Sequence, residues 1–146
     1  MSFLLGIFQI VVTILSGLML DKFGRKTLMV FGDALIMLAL FSGFYMLNMM
    51  EGVDPKWVGL VIFLHIGGFS LSLGPITILY ISEILEDISL YMALLWISTF
   101  IISVSSNIMI SKMGIGTVFL IYGIIAGFGL VFMIFKMKES KGKTRN

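Results

Sequence analysis

Eight carboxylates, ten lysines and arginines and a single histidine are all the acidic and basic side chains in 146 residues, and most of them sit in three short clusters. The first is Asp21, Lys22, Phe23, Gly24, Arg25, Lys26; the second is Glu83, Glu86, Asp87; the third runs from Lys136 to Arg145. Carboxylates in one cluster and cations in the other two suit mutual pairing. The remaining chemistry is narrow. There is no cysteine, so no disulfide or thiolate ligand, and one histidine cannot build a metal site alone. No cofactor is implied. No spacing supports a nucleophile, a base and an oxyanion donor together, so the chain does not read as an enzyme. A formal charge of +2, segregated along the chain, does not make a nucleic-acid surface.

A second kind of chemistry is carried by the backbone. The run Gly74, Pro75, Ile76, Thr77, Ile78, Leu79, Tyr80, Ile81, Ser82, Glu83 places a proline inside a long apolar stretch. Proline removes a helical hydrogen bond and kinks the helix, and the preceding glycine loosens the same turn. In a membrane, irregular backbone is tolerated where it lines a cavity and not against lipid. The run therefore predicts a broken helix beside a solute path, with a purely structural kink as the alternative.

The elements that must position these groups follow from composition. With 59% hydrophobic and 12% charged residues and a mean hydropathy of +1.11, the chain is too apolar for a water-soluble domain, in which about a quarter of residues are charged. A bilayer is the solvent it fits, and the lipid bilayer is its first expected partner. About 20 apolar residues cross a bilayer, and five runs qualify: 3–20, 27–50, 57–82, 88–111 and 113–135. They predict an all-α, polytopic transmembrane bundle over 1–135, followed by a basic cytoplasmic tail over 136–146. The first run lacks a basic n-region and a small-residue cleavage site, so it reads as a span and not a secretory signal. With the C-terminus inside, eight basic residues are cytoplasmic, and only Lys56 and Lys112 lie outside. The N-terminus is then non-cytoplasmic. This orientation puts all three charged clusters on one face of the membrane.

Three residues inside spans carry two readings each. Asp33 lies about two turns into the second span and either pairs with Arg25 and Lys26 or faces a polar cavity, the pairing being preferred. His65, in the third span, either titrates during transport or, by preference, makes a hydrogen bond to a neighbouring helix. Gly123 and Gly127 form a small-xxx-small pattern that lets helices approach closely.

Three separated motifs resemble the sugar porter family of the major facilitator superfamily, in the family's order. Asp21 to Lys26 is similar to its D-[RK]-x-G-R-[RK] loop after the eighth helix. Gly74, Pro75, Tyr80, Ser82 and Glu83 are similar to its tenth-helix pattern, and Lys138 to Thr144 to its P-E-T-K-G-K-T tail, with Lys138 in place of the proline. Gly6, Gln9 and Thr13, at 15, 12 and 8 residues before Asp21, agree with a glycine, an amide and a threonine of the eighth helix. The resemblance covers the whole chain and aligns it with helices eight to twelve of a twelve-helix fold, a partial major-facilitator fold with five transmembrane helices.

The resemblance implies alternating-access transport of a small polar solute, a sugar above all, with the chain as the C-terminal part of the carrier. The alternative is a truncated, non-transporting paralogue acting as a membrane scaffold or partner subunit. Partners implied are a sugar-like solute and the missing N-terminal helices or a partner membrane protein. Substrate contacts carry over to Gln9, Thr13, Ser70, Gly74 and Pro75. The cytoplasmic gate charge network carries over to Asp21, Arg25, Lys26, Glu83 and Glu139. Two departures touch the substrate: the family's tenth-helix tryptophan falls at Ile78 and its second proline at Thr77.

Overall fold

In a computed structural model of the chain, residues 2–50, 52–84 and 88–137 are described, without the side chains of Ser2, Asp21, Pro55, Glu83 and Ile84. The described residues contain no strand. They form six α-helices: α1 (Ser2–Phe23), α2 (Arg25–Met49), α3 (Pro55–Gly68), α4 (Pro75–Ile84), α5 (Ile88–Met113) and α6 (Ile115–Lys136). A π-helical segment, Phe69–Leu73, joins α3 to α4, so these two and the segment make one membrane span. Five helical runs are thus long and apolar enough to cross a bilayer. The shortest continuous helices that do so, α1 and α6, have 22 residues, about 33 Å at 1.5 Å per residue, against a hydrocarbon core of about 30 Å.

Single glycines make two of the turns. Gly24 separates α1 from α2 with φ 83° and ψ 166°, and Gly114 separates α5 from α6 with φ 81° and ψ 155°. This corner of backbone space is essentially closed to residues with a Cβ. The Gly24 amide donates to the Leu20 carbonyl at 3.1 Å and the Gly114 amide to Ile110 at 3.0 Å, so each glycine closes one helix as the next begins. The loop before α3 uses a different device. Asp54 caps that helix, its Oδ1 accepting from the Lys56 amide at 2.9 Å, with Pro55 in the first turn where its missing N–H costs nothing.

The α2 helix is the hub. It packs along α6, crosses α3 and the π segment, and touches α1 and α4. Leu28, Met29, Ile76, Met133 and Met137 form a buried cluster where α2, α4 and the end of α6 meet. By contrast α5 packs principally on α6 and has no buried residue; Trp96 is 68% and Phe100 69% exposed.

The tightest crossing is between α2 and the end of α3. A Cβ on Gly68 would stand 2.8 Å from the Gly32 carbonyl oxygen, and one on Gly32 would stand 2.7 Å from the Gly68 carbonyl oxygen and collide with the Ser72 side chain. Lipid gives no hydrophobic incentive for helices to associate, so close backbone approach supplies the attraction. Gly123 and Gly127, the pair expected to play this part, also face α2. A Cβ there would meet Leu40 Cβ or Met37 Sδ at 3.5 Å, ordinary contact with room for a methyl group.

Gly68→Ala is therefore expected to destabilise the bundle by about 1–3 kcal/mol through overpacking against backbone that cannot move aside, whereas Gly127→Ala is neutral or slightly stabilising because helical alanine is favoured over glycine. Thermal unfolding of the two variants in detergent micelles, read by loss of helical circular dichroism, checks the contrast.

Candidate functional site

The broken span is explained by one missing donor. Proline at 75 has no N–H to offer the carbonyl of Leu71, four residues earlier, and its ring crowds that carbonyl. The chain responds by widening. The Gly74 amide reaches five residues back to Phe69 O at 2.9 Å, giving the π turn before Pro75. The stranded Leu71 carbonyl is taken by another helix: Ser16 Oγ, 1% exposed on α1, donates to it. Ser72 Oγ donates back to the Gly68 carbonyl at 3.0 Å, at the Gly32 crossing.

Of the five residues expected to meet a solute, three belong to the break and two to α1. Ser70 is 2% exposed, and its buried Oγ has no hydrogen-bond partner. Gly74 and Pro75 are half-buried at the junction, and Gln9 and Thr13 are exposed on α1. Gln9, Thr13 and Ser16 follow an i, i+4, i+7 spacing and so share one face of α1. The last of the three docks on the break. Sequence reading missed Ser16, although its place in that polar stripe was the available signal.

The expected charge network lies partly outside the described residues, since these exclude the side chains of Asp21 and Glu83 and all of Glu139. Arg25 opens α2 directly after the Gly24 turn. One residue on, Lys26 Nζ donates to the Ile134 carbonyl at 2.8 Å. That carbonyl belongs to the last turn of α6, where helical acceptors lack intrahelical donors and a cation is favoured by the helix dipole. Lys26 thereby ties the start of α2 to the end of α6.

Asp33 does not pair with Arg25 or Lys26. It is 3% exposed, its Oδ2 has no hydrogen-bond partner among the described residues, and it lines a cavity of about 680 Å³ bounded by α2, α3, the π segment, α5 and α6. At helical pitch, Asp33 is too far into α2 for its short side chain to reach back to the first turn. His65 lines the same cavity, and its Nδ1 is buried without the interhelical hydrogen bond expected of it. The rest of the wall is apolar except for Ser106 and Tyr122, whose hydroxyls are 2.6 Å apart. Among the described residues, no cluster of three His, Cys, Asp or Glu side chains is arranged for a metal.

A broken span, a polar face on the helix beside it and cations at the helix ends are now in place, and comparison with known proteins decides the family. The sequence pattern of the family described as Sugar (and other) transporter matches residues 1–146. The chain belongs to the sugar transporter family. The facilitated trehalose transporter Tret1 of Drosophila virilis is 33% identical over 155 residues, covering 98% of this chain and 17% of the relative. Its counterpart in Aedes aegypti is 30% identical over 154 residues, covering 98% and 19%. This member of the family thus spans about a fifth of the length of the curated relatives it matches. Among solved structures, a double-tryptophan mutant of XylE superposes with a TM-score of 0.87 at 23% identity, over 98% of this chain and 32% of that one. XylE from E. coli in a partially occluded inward-open conformation superposes with a TM-score of 0.77 at 26% identity, over 97% and 32%. The five spans are accordingly a partial major-facilitator fold, and the chain is an integral, multi-pass membrane protein.

Ser16→Ala is expected to cost about 0.6–2 kcal/mol, the range for a hydrogen bond between membrane helices, because it leaves Leu71 O unpaired, while Ser16→Thr keeps the donor and the stability. Unfolding of both variants in detergent, followed by circular dichroism, measures the difference.

Proposed function

We propose that this chain is the C-terminal portion of a carrier that moves a small polar solute, a sugar, across a membrane by alternating access. The observation that carries the reading is the family match along the whole chain, joined to a broken span whose free carbonyl is held by the polar face of α1. The relatives by sequence are named trehalose transporters and a structural neighbour is named a proton:xylose symporter. Both names denote sugar carriers.

In this reading Gln9 and Thr13 present an amide and a hydroxyl to the solute from α1, and Ser70, Gly74 and Pro75 form the opposing broken wall. Hydroxyl-rich solutes are held by such hydrogen-bonding groups, and the loss of each bond is costly when a polar partner is left unpaired. Ile78 in place of the family's tryptophan removes a stacking platform, so recognition rests on the polar groups. Further helices outside this chain complete the solute cavity. The C-terminus faces the cytoplasm, as the bias of lysine and arginine requires. Arg25 and Lys26 belong with Asp21, Glu83 and Glu139 to a gate at that face, which closes when the charges meet and opens when they part. Partly solvated pairs contribute about 1 kcal/mol or less each, enough to bias two states without locking either.

The test is a chimera in which this chain replaces the corresponding C-terminal fifth of the Drosophila virilis trehalose transporter, assayed for uptake of radiolabelled trehalose and xylose in oocytes. Saturable uptake of either sugar is expected, and surface expression without uptake of any sugar would refute the carrier reading in favour of a scaffold. In an active chimera, Gln9→Ala is expected to raise KM about tenfold, the equivalent of one hydrogen bond of about 1.4 kcal/mol. Arg25→Ala is expected to increase labelling of cytoplasm-facing cysteine probes, and unchanged labelling would remove Arg25 from the gate.

A further inference from the structure

The cavity beside Asp33 is not absorbed by transport. None of Gln9, Thr13, Ser70, Gly74 or Pro75 lines it. It lies on the side of α2 and α3 that faces α5 and α6, whereas Ser70, Gly74 and Pro75 belong to the break, which α1 meets through Ser16. Its walls are mostly aliphatic and aromatic, with Ile36, Leu40, Val61, Phe69, Ile102 and Phe119 among them. A volume of about 680 Å³ lies within the range of small-molecule sites, roughly 300–1,000 Å³.

Two residues of this wall carry a buried acceptor with no partner among the described residues. Asp33 is 3% exposed, and its Oδ2 is buried and makes no hydrogen bond. Neutral His65 offers Nδ1 as an acceptor when its other ring nitrogen carries the proton, and that atom too is buried and unpartnered. Gly32, next to Asp33, crosses at Gly68, and His65 is three residues before Gly68 on α3. Burying a carboxylate with no partner is among the most expensive arrangements a membrane protein can hold.

We infer that this cavity is a second binding site, distinct from the solute path, for a small amphipathic amine whose ammonium group rests against the Asp33 carboxyl group, with His65 on the same wall, and whose apolar body fills the space toward α5. Phe69, Phe119 and Tyr122 are also on the wall, and aromatic rings attract cations. An inorganic cation suits the site poorly, since Ca²⁺ takes six to eight oxygen ligands and Mg²⁺ six, and the only side-chain oxygens on the wall are those of Asp33, Ser106 and Tyr122. A neutral apolar ligand leaves the carboxylate as it is.

The probe is tritiated 4-phenylbutylammonium, with 4-phenylbutanol as its neutral counterpart. The chain is reconstituted in vesicles of phosphatidylcholine, whose zwitterionic surface does not concentrate cations. Saturable binding of the amine, at least tenfold tighter than that of the alcohol, is expected. Asp33→Asn is expected to abolish that preference. Ile102→Trp fills the cavity from α5, a helix with no buried residue whose packing the change does not disturb, and is expected to prevent saturable binding even if Asp33→Asn fails to fold. Equal binding of amine and alcohol, linear partitioning without saturation, or unaltered amine binding by Ile102→Trp would each overturn the proposal. The assay uses no sugar and no transport, so its failure is separable from failure of the carrier reading.

Discussion

In hydrocarbon, a backbone amide or carbonyl has no water to fall back on, and the rest of this structure depends on that constraint. Helices meet it by pairing every group within one segment, which is why the described spans contain no strand and why the turns at Gly24 and Gly114 are compressed to a single residue. Among the described residues, Pro75 is where a span is forced to break the rule. The consequence spreads outward from there: a π turn closed by Gly74 and Phe69, a stranded carbonyl at Leu71, and a serine on a different helix recruited to satisfy it. The break is thus bonded to α1, and a movement of one is coupled to the other through the Ser16 hydrogen bond.

The same solvent explains how the helices associate. Leucine gains little by leaving lipid for leucine, so attachment comes from close approach and from polar contacts between spans. Gly32 against Gly68 provides the first, and Lys26 on the Ile134 carbonyl the second. Both involve α2, which holds α3, α6 and the π segment together, while α5 lies outside this framework with its aromatic residues exposed. A helix held mainly by one neighbour is the one whose displacement costs the fewest contacts.

Asp33 and His65 show what the framework tolerates. An acid and an imidazole are held in an apolar cavity without the partners that would offset their desolvation, on the far side of α2 and α3 from the polar face of α1. The fold thereby keeps two separate polar features within the thickness of one bilayer. One is built of hydroxyls and an amide on α1 and the broken span, the other of a carboxylate and an imidazole on an apolar wall.

Much of this was legible in the sequence, because the bilayer imposes one-dimensional rules. Apolar run lengths announced five spans, Gly24 and Pro75 announced a turn and a break, and the motifs at Asp21–Lys26 and Gly74–Glu83 announced the family. Pair contacts between helices obey no such rule. Which glycines touch depends on the rotation of each helix about its axis, so Gly123 and Gly127, which fit the pattern, proved roomy, and Gly32 and Gly68, in different spans, carry the close crossing. Asp33 was expected to turn back toward Arg25 and Lys26, and the depth and facing of its turn of α2 put it in the cavity instead. The sequence by itself determined the membrane, the number of spans and the site of the broken helix, since these follow from composition and local covalent chemistry. Only the tertiary structure decided that Ser16 serves the break and that Asp33 lines the cavity, because both depend on which faces of separate helices are brought together.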